Sequence, residues 1–315
     1  MWPDERTGPA LRAHLAVRLK LPLFVAPMFL VSGPELIVAA SRAGALSAFP
    51  SINARTGADL EAWLERIADG AAGGAPWGVN LIVHRSNTRL RDDLAATVRA
   101  RAPLVVASVG PPDEVVAEVH AYGGLVFSDV ASVRHARKAA AAGVDGLVLL
   151  TAGAGGNTGW LNPFAFVTEV RRFFDGPLAV AGAIGTGRAL HALEVLDADL
   201  GYAGTPFIAT EESRALADHK ATVVATEADG VTQSSLVTGI PANFARESLV
   251  REGVIAPDGT PLHEGALDIA SWKTVWSMGH GCGGVATIGP AGEVIAGMAA
   301  DWRAARQMLR SRPAQ

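Results

Sequence analysis

Two glycine-rich turns hold the chemistry that is easiest to read in this chain. Ala181-Gly182-Ala183-Ile184-Gly185-Thr186-Gly187 closes one short apolar run, and Gly201-Tyr202-Ala203-Gly204-Thr205-Pro206 closes the next. Each precedes a stretch of helical character, so both turns offer backbone N–H groups at a helix start, a cradle suited to phosphate. A ligand with a phosphate tail is implied. A third run, Thr151-Ala152-Gly153-Ala154-Gly155-Gly156-Asn157-Thr158-Gly159, is dense in glycine, which lets backbone approach a flat partner closely. The other residues at the ends of apolar runs are Ala26, Pro27, Met28, Asn80, Ser108 and Asp129. None is His, Lys or Cys, so neither a hydrolytic triad nor a Schiff-base lysine has a candidate. The histidines are scattered, with no His-Glu-x-x-His and no paired cysteine, so no metal site is expected. A bound organic cofactor is then the source of reactivity. Asn80 can donate to a ring carbonyl or accept from a ring N–H, or it is a turn former. Asp129 is a second such group, or the cap of a helix beginning near Ser132. Pro27-Met28 either turns a backbone N–H to a ring edge or simply ends a strand.

The elements that position these groups repeat. Apolar strand-like runs occur at 23–26, 45–49, 78–83, 104–108, 125–128, 146–151, 178–181 and 200–203. Helical patterns lie between them at 34–43, 58–68, 113–122, 132–142, 163–174 and 187–196, several stopping at a glycine. Eight such units predict an α/β chain folded as a (β/α)8 barrel, with the two phosphate turns after strands seven and eight. A doubly wound open sheet is the competing architecture, but the first turn, Pro27 to Gly33, has no phosphate-loop character. After Thr205 the pattern changes. Residues 209–226 read as one helix, 233–264 as irregular and polar, 269–278 as a segment with Trp272 and Trp276 at helical spacing, and 290–310 as an Ala-rich helix. Residues 1–210 and 289–315 are therefore expected to form the barrel, and 211–288 a smaller helical cap over its mouth.

The 315 residues, 49% apolar and 18% charged, suit one large core with a buried parallel sheet. A net charge of −4 without a basic run gives no reason to expect nucleic acid. Apolar runs are too short to span a bilayer, and the N-terminus lacks a signal-peptide core. The single cysteine, Cys282, excludes an intrachain disulfide framework, and a cytoplasmic location is expected. Exposed apolar pairs in 211–288 offer a contact surface for a homodimer.

Several pieces of this chain together resemble the nitronate monooxygenase family, formerly called 2-nitropropane dioxygenases, which also includes flavin-dependent enoyl and quinone reductases. They are Ala26-Pro27-Met28, Gly78-Val79-Asn80, Ala154 to Gly159, Ala181 to Gly187, Gly204-Thr205-Pro206-Phe207-Ile208-Ala209-Thr210-Glu211-Glu212-Ser213 and Trp276-Ser277-Met278-Gly279-His280-Gly281. The resemblance spans roughly residues 20 to 290 and implies a barrel with non-covalent FMN. The phosphate would sit on Gly182, Gly185, Gly204 and Thr205, and the ring near Pro27, Met28 and Asn80. Ala26, Ser108, Asp129, Gly155, Gly156 and Ala181 complete the implied cofactor contacts. Where the family normally carries a catalytic histidine, this chain has Asn157, and an amide cannot take a proton near neutral pH. His280 stands where the family often has glutamine and is the candidate replacement imidazole. The implied activity is oxidation of a nitronate or similar carbanion with O2. The alternative is NAD(P)H-dependent reduction of an enoyl or quinone substrate, and Asn157 keeps a flavin-binding protein without catalysis in view. A phosphate-binding barrel without flavin is the alternative from another class.

Overall fold

The local signals that start and stop each βα unit act as written in the sequence. The computed structural model describes residues 2–3, 7–263 and 273–310. The first helix, α1 (Gly8–Arg18), precedes β1 (Leu23–Val25). Gly33 then leads into α2 (Pro34–Ala43) with proline in the first turn, and the helix stops at Gly44, whose φ of 93° is left-handed. β2 (Leu46–Pro50) leads to α3 (Gly57–Gly70), which opens with a capping box between Thr56 and Asp59. The series continues as β3 (Trp77–Ile82), α4 (Leu90–Arg99), β4 (Leu104–Ser108), α5 (Asp113–Ala121), β5 (Leu125–Val130), α6 (Val133–Ala141) and β6 (Gly146–Leu150). A two-residue strand, β7 (Gly156–Asn157), interrupts it before α7 (Pro163–Arg171), β8 (Leu178–Ala181), α8 (Gly187–Val195) and β9 (Leu200–Ala203). Asn162 caps α7 and Thr186 caps α8 through their side chains.

β1 to β6, β8 and β9 form a closed parallel barrel, sealed by β9 on β1 with Phe24 opposite Tyr202. The sequence reading of eight βα units is the observed architecture, and the two glycine turns do follow the seventh and eighth barrel strands. Alternate strand residues point inward, as pleating requires. Phe24, Leu46, Ala48, Leu104, Val106, Leu125, Phe127, Val148, Ala179 and Leu200 fill the interior, and Leu11 and Leu15 of α1 plug its lower end. The other parity, including Val25, Val79, Val105, Val126, Leu147 and Val180, packs against the helices. Neither α1 nor α4 is among the helices expected from the sequence. The buried face of α4 carries Asp93 and Thr97, which hides its periodicity.

The region after β9 differs from the expected cap. Instead of one helix over 209–226, a short α9 (Thr205–Ile208) ends before that stretch and α10 (Ala217–Ala225) fills only its second half. Between them the Thr210 and Ser213 hydroxyls bond back to the Phe207 and Ile208 carbonyls, and the Arg214 amide donates to Val31, which turns the chain. The stretch read as irregular holds β10 (Val231–Ser234), β11 (Ala242–Ala245) and α11 (Arg246–Arg251). β10, β11 and the stray β7 make a small antiparallel sheet, so the cap is not purely helical. Residues 264–272, including Trp272, lie outside the described residues. The last helix, α12 (Ala291–Arg310), returns to pack on α8 and α2. Among the described residues no helix is long and apolar enough to cross a membrane.

Candidate functional site

The inward parity of each barrel strand carries through to its C-terminal end. Continuing it by one step from the interior residues gives Ala26, Pro50, Asn80, Ser108, Asp129, Leu150, Ala181 and Tyr202. All eight line one cavity of about 680 Å³ at the barrel mouth. They form its floor. The 84–89 loop after β3, the 153–157 segment, and cap residues Thr238, Ile240, Ser277, Met278, Gly279 and Gly281 form its walls.

On one side of this floor three polar side chains are chained together. Asn80 Nδ2 donates to the Val106 carbonyl at 3.0 Å and to Ser108 Oγ at 2.7 Å. Ser108 Oγ donates to Asp129 Oδ2 at 2.6 Å. The Val109 amide is a second donor to Asp129, from a residue held at φ 63°. A β-branched residue in that region is strained, so the backbone is distorted to serve the carboxylate. Burial nonetheless pushes the Asp129 pKa up to about 6, against both hydrogen bonds. Its remaining exposed surface faces the cavity. Tyr202, across the floor on β9, is raised well above the usual phenol range, first by burial and then by the Asp129 charge. Asp129 does not cap α6, because the Ser132 side chain does.

The opposite side is built from backbone. Gly182 has φ 128° and Ala183 φ 58°, so the turn after β8 runs through two successive positive-φ residues. Such turns present their amides into a concave surface. Gly204 follows β9 and faces the same cavity. A Cβ there would meet Met28 Sδ at 3.2 Å, Met28 Cγ at 3.4 Å and Ala26 Cβ at 3.7 Å. Gly153, Gly155 and Gly156 line the cavity. Gly155 also lets the loop approach the cap, since a Cβ there would lie 2.8 Å from the Gly279 amide, whereas a Cβ on Gly156 would meet nothing within 4 Å.

Of the residues singled out in sequence, Ala26, Pro27, Met28, Asn80, Ser108, Asp129, Gly155, Gly156, Asn157, Ala181, Gly182, Gly204 and Thr205 line the cavity. Gly185 and His280 do not. Gly185 packs against the Gly281 carbonyl of the cap. His280 is exposed and its ring lies over Gly153, with its amide bonded to the Gly153 carbonyl at 3.0 Å, so the cavity gains no imidazole from it. Nor does Met28 present a free N–H, because its amide donates to Ser32 Oγ at 3.0 Å. Thr205 Oγ1 accepts from the Gly279 amide at 2.9 Å and so pins the cap. Cys282 is buried in the apolar seam between cap and barrel, and burial pushes its thiol pKa up. Asn157 lies on the wall with its Oδ1 buried and without a hydrogen-bond partner.

Strand parity was the signal that could have added Pro50, Leu150 and Tyr202. No local signal marks His84, Arg89, Thr238 or Ile240, which reach the cavity through loops. Among the described residues no group of His, Cys, Asp and Glu side chains is placed to hold a metal ion.

The nitronate monooxygenase family model matches residues 13–260. A curated relative, the (3aS,4S,5R,7aS)-5-hydroxy-7a-methyl-1-oxo-octahydro-1H-indene-4-carboxyl-CoA dehydrogenase of Rhodococcus jostii, is 27% identical over 234 residues, 74% of this chain. The match spans only 65% of that relative's length. Nitroalkane oxidase from Streptomyces ansochromogenes superposes with a TM-score of 0.81 at 22% identity, covering 94% of this chain and 99% of that one. FabK from Thermotoga maritima superposes with a TM-score of 0.77 at 23% identity, covering 95% and 97%. The two solved structures share the fold. The family pattern runs from α1 through every barrel strand and into the cap, and the chain belongs to the nitronate monooxygenase family.

Proposed function

We propose that this chain is an FMN-dependent oxidoreductase that oxidises a nitronate or a similar carbanion with O2. The residues fit FMN. The cavity volume is ordinary for a cofactor-sized ligand. The turns at Gly182, Ala183, Gly204 and Thr205 offer backbone to a phosphate at one side. The Asn80–Ser108–Asp129 chain offers polar groups to a heterocycle at the other. FMN, when bound, supplies two-electron redox chemistry that no side chain here can perform.

The observation that carries the reading is Asn157. Its amide borders the cavity with an unpaired, buried Oδ1, in the place where the family's base normally stands. An amide can orient a substrate's oxygen and nitrogen atoms but cannot abstract a proton. Such a site suits a substrate that arrives already deprotonated. The cap residues Met278 and Gly279 line the same cavity.

The test compares pre-formed nitronate with the neutral nitroalkane in oxygen-consumption assays. Wild type is expected to turn over the first and not the second. Asn157→His is expected to gain about 10²–10⁴-fold on the nitroalkane, the usual contribution of a general base. Efficient wild-type turnover of the nitroalkane would make another cavity group the base and remove the argument from Asn157.

The second reading is an NAD(P)H-dependent reductase of enoyl or quinone substrates. The similarity to a carboxyl-CoA dehydrogenase supports it, as does the apolar wall of Pro27, Phe29, Val31, Ile52 and Ile82. Anaerobic mixing separates the two. Bleaching of the flavin by nitronate supports the first, and bleaching by NADH or NADPH alone supports the second.

A further inference from the structure

Asp129 is an unusual group to find on the floor of this cavity. It has two hydrogen-bond donors and no cation. From β4, Ser108 and Val109 face it, and from β3, Asn80 reaches it only through Ser108. On β6 its register partner is Val148, and the next inward residue is Leu150, so both neighbours there are apolar. Across the barrel stands Tyr202, a neutral phenol. The charged or titratable groups elsewhere on the cavity lining are already engaged. Arg89 holds Asp93 at 3.0 Å and the Ala54 carbonyl at 2.8 Å. His84 is exposed on the rim, bonded to Ser86 Oγ at 2.7 Å. The Asp129 charge is therefore not neutralised by any neighbour, and a strained residue, Val109, is spent on keeping its carboxylate in place.

The position of this charge relative to a bound flavin follows from the cavity's two sides. A phosphate on the β8 and β9 turns puts the ribityl chain over those strands and the ring over the rest of the mouth. The flavin ring has one polar edge and one dimethylated apolar edge. Asn80, Ser108 and Asp129 are the linked polar side chains of the floor, so the polar edge belongs against them.

We infer that Asp129 sets the electron affinity of the bound ring, its carboxylate lying at the ring's polar edge and opposing the negative charge the ring gains on reduction. The inference rests on the FMN reading above. Reduction at neutral pH adds two electrons and one proton to the ring, leaving one added negative charge there. A like charge nearby disfavours that state, and the low dielectric of the floor strengthens the effect. The cavity then accepts electrons only from strongly reducing donors, such as a carbanion, and passes them on readily. Protonation of Asp129 abolishes the effect, which makes it pH-dependent, and burial brings that protonation close to neutral pH. Asp129 acts here as a positioning charge and does not itself exchange bonds with substrate.

Sulfite addition to the oxidised flavin is the probe, because the adduct places a negative charge on the ring in the same way. Sulfite affinity is read from flavin bleaching, alongside the midpoint potential, at about pH 8.5 and about pH 5, which bracket the carboxyl's titration. Asp129→Asn is expected to bind sulfite about 10- to 10³-fold more tightly than wild type at the higher pH, with a more positive potential. At the lower pH the two proteins converge. An equal difference at both pH values, or none, overturns the inference and leaves FMN binding intact. Recovery of wild type without FMN overturns the FMN reading and this inference with it. Should Asp129→Asn fail to hold FMN, Ser108→Ala serves in its place. Loss of that donor raises the pH at which sulfite affinity falls, and an unmoved profile overturns the inference.

Discussion

In the barrel every strand pairs with the next barrel strand along the chain, and side-chain caps at α3, α6, α7 and α8 and a glycine stop at α2 lie within a few residues of the elements they bound. In the cap, β11 pairs with β7 from the far side of two barrel strands, and Asn243 reaches a carbonyl 89 residues earlier in the chain. The barrel contributes the whole floor of the cavity and the backbone turns at one side of it. The cap contributes a wall, held by the Asn243–Ala154 bond, the Gly279–Thr205 bond and the glycine crossing of 153–155 over 278–281. The division predicts that ligand affinity and global stability depend on the repeated part, and the order of the cavity wall on the part assembled from distant contacts. Four measurements can break that division or sharpen it.

The largest effect is expected at Gly204. Its φ is −107°, and the tight contacts of an added Cβ are with the flexible end of Met28, with Ala26 Cβ at an ordinary 3.7 Å, so Gly204→Asp is expected to fold. Its carboxylate would stand beside the phosphate and repel it. The variant is expected to purify without flavin and to unfold near the wild-type midpoint. Mass spectrometry of the denatured supernatant is expected to identify the cofactor released by wild type as FMN, as proposed above. A folded variant with full flavin content would move the phosphate away from the barrel turns.

The next effect tests stability at the opposite end of the barrel. Asp199 accepts Arg12 Nε at 2.7 Å, an Arg171 guanidinium nitrogen at 2.5 Å and the Leu178 amide at 2.8 Å. Asp199 and Arg171 are both largely buried. Asp199→Ala leaves Arg171 and Arg12 only the more exposed Asp197 carboxylate, and the cost is expected to approach, from below, the roughly 3–5 kcal/mol of a broken buried pair. Urea unfolding should show that loss while flavin content stays constant. A cost under about 1 kcal/mol would place this network with ordinary surface pairs.

How much could be read in sequence follows the same division. Barrel strands and their caps were legible because each signal lies within a few residues of the element it controls. Asn80, Ser108 and Asp129 stood out because they interrupt apolar runs at strand ends. Leu150 and Tyr202 share their geometry but not their polarity, and only the inward parity reveals them. The cap sheet was not legible, since a two-residue strand at Gly156–Asn157 has no pattern of its own and forms only because β11 is there to receive it. His280 misled for a related reason. Its glycine neighbours belong to the crossing with 153–155, and that crossing turns the imidazole outward.

A pH experiment separates the two regions by the sign of their response. In the cap, His219 is buried, donates from Nε2 to the Ser277 carbonyl at 3.1 Å and stacks on Trp276 at 5.6 Å, with Arg251 over Trp276 at 4.0 Å. Burial lowers its pKa from 6.5 to about 4. Between those values the unfolded chain binds a proton that the folded cap refuses, so stability falls as pH drops through that window. In the barrel, Asp129 is raised from 3.8 to about 6, so there the folded state holds the extra proton and stability rises as pH drops from about 6 to about 4. His219→Gln is expected to remove an acid-linked loss of up to about 3 kcal/mol at the low end of the window. Asp129→Asn removes the opposing gain. Unfolding midpoints across the window check both, and an unchanged acid slope in His219→Gln would assign the loss to another group.

The smallest effect tests the seam itself. Asn243 is buried on β11, and its Nδ2 donates to the Ala154 carbonyl at 2.7 Å, while its own carbonyl accepts the Met278 amide at 3.2 Å. Asn243→Ala removes the first bond and keeps the second. The buried Ala154 carbonyl then loses its partner, a change worth about 1–3 kcal/mol. Ala154 opens the segment that carries Gly156 and Asn157 onto the cavity wall, so the loss should appear there first. Hydrogen exchange at the Gly155, Gly156 and Asn157 amides is expected to quicken about 5- to 100-fold, the range that follows from that free energy, while β3, β4 and β5 exchange as in wild type. Substrate KM should rise with flavin retention unchanged, because the phosphate turns lie in the barrel. Equal acceleration in the barrel strands would mean that cap and barrel open as one unit, and the division drawn above would be wrong.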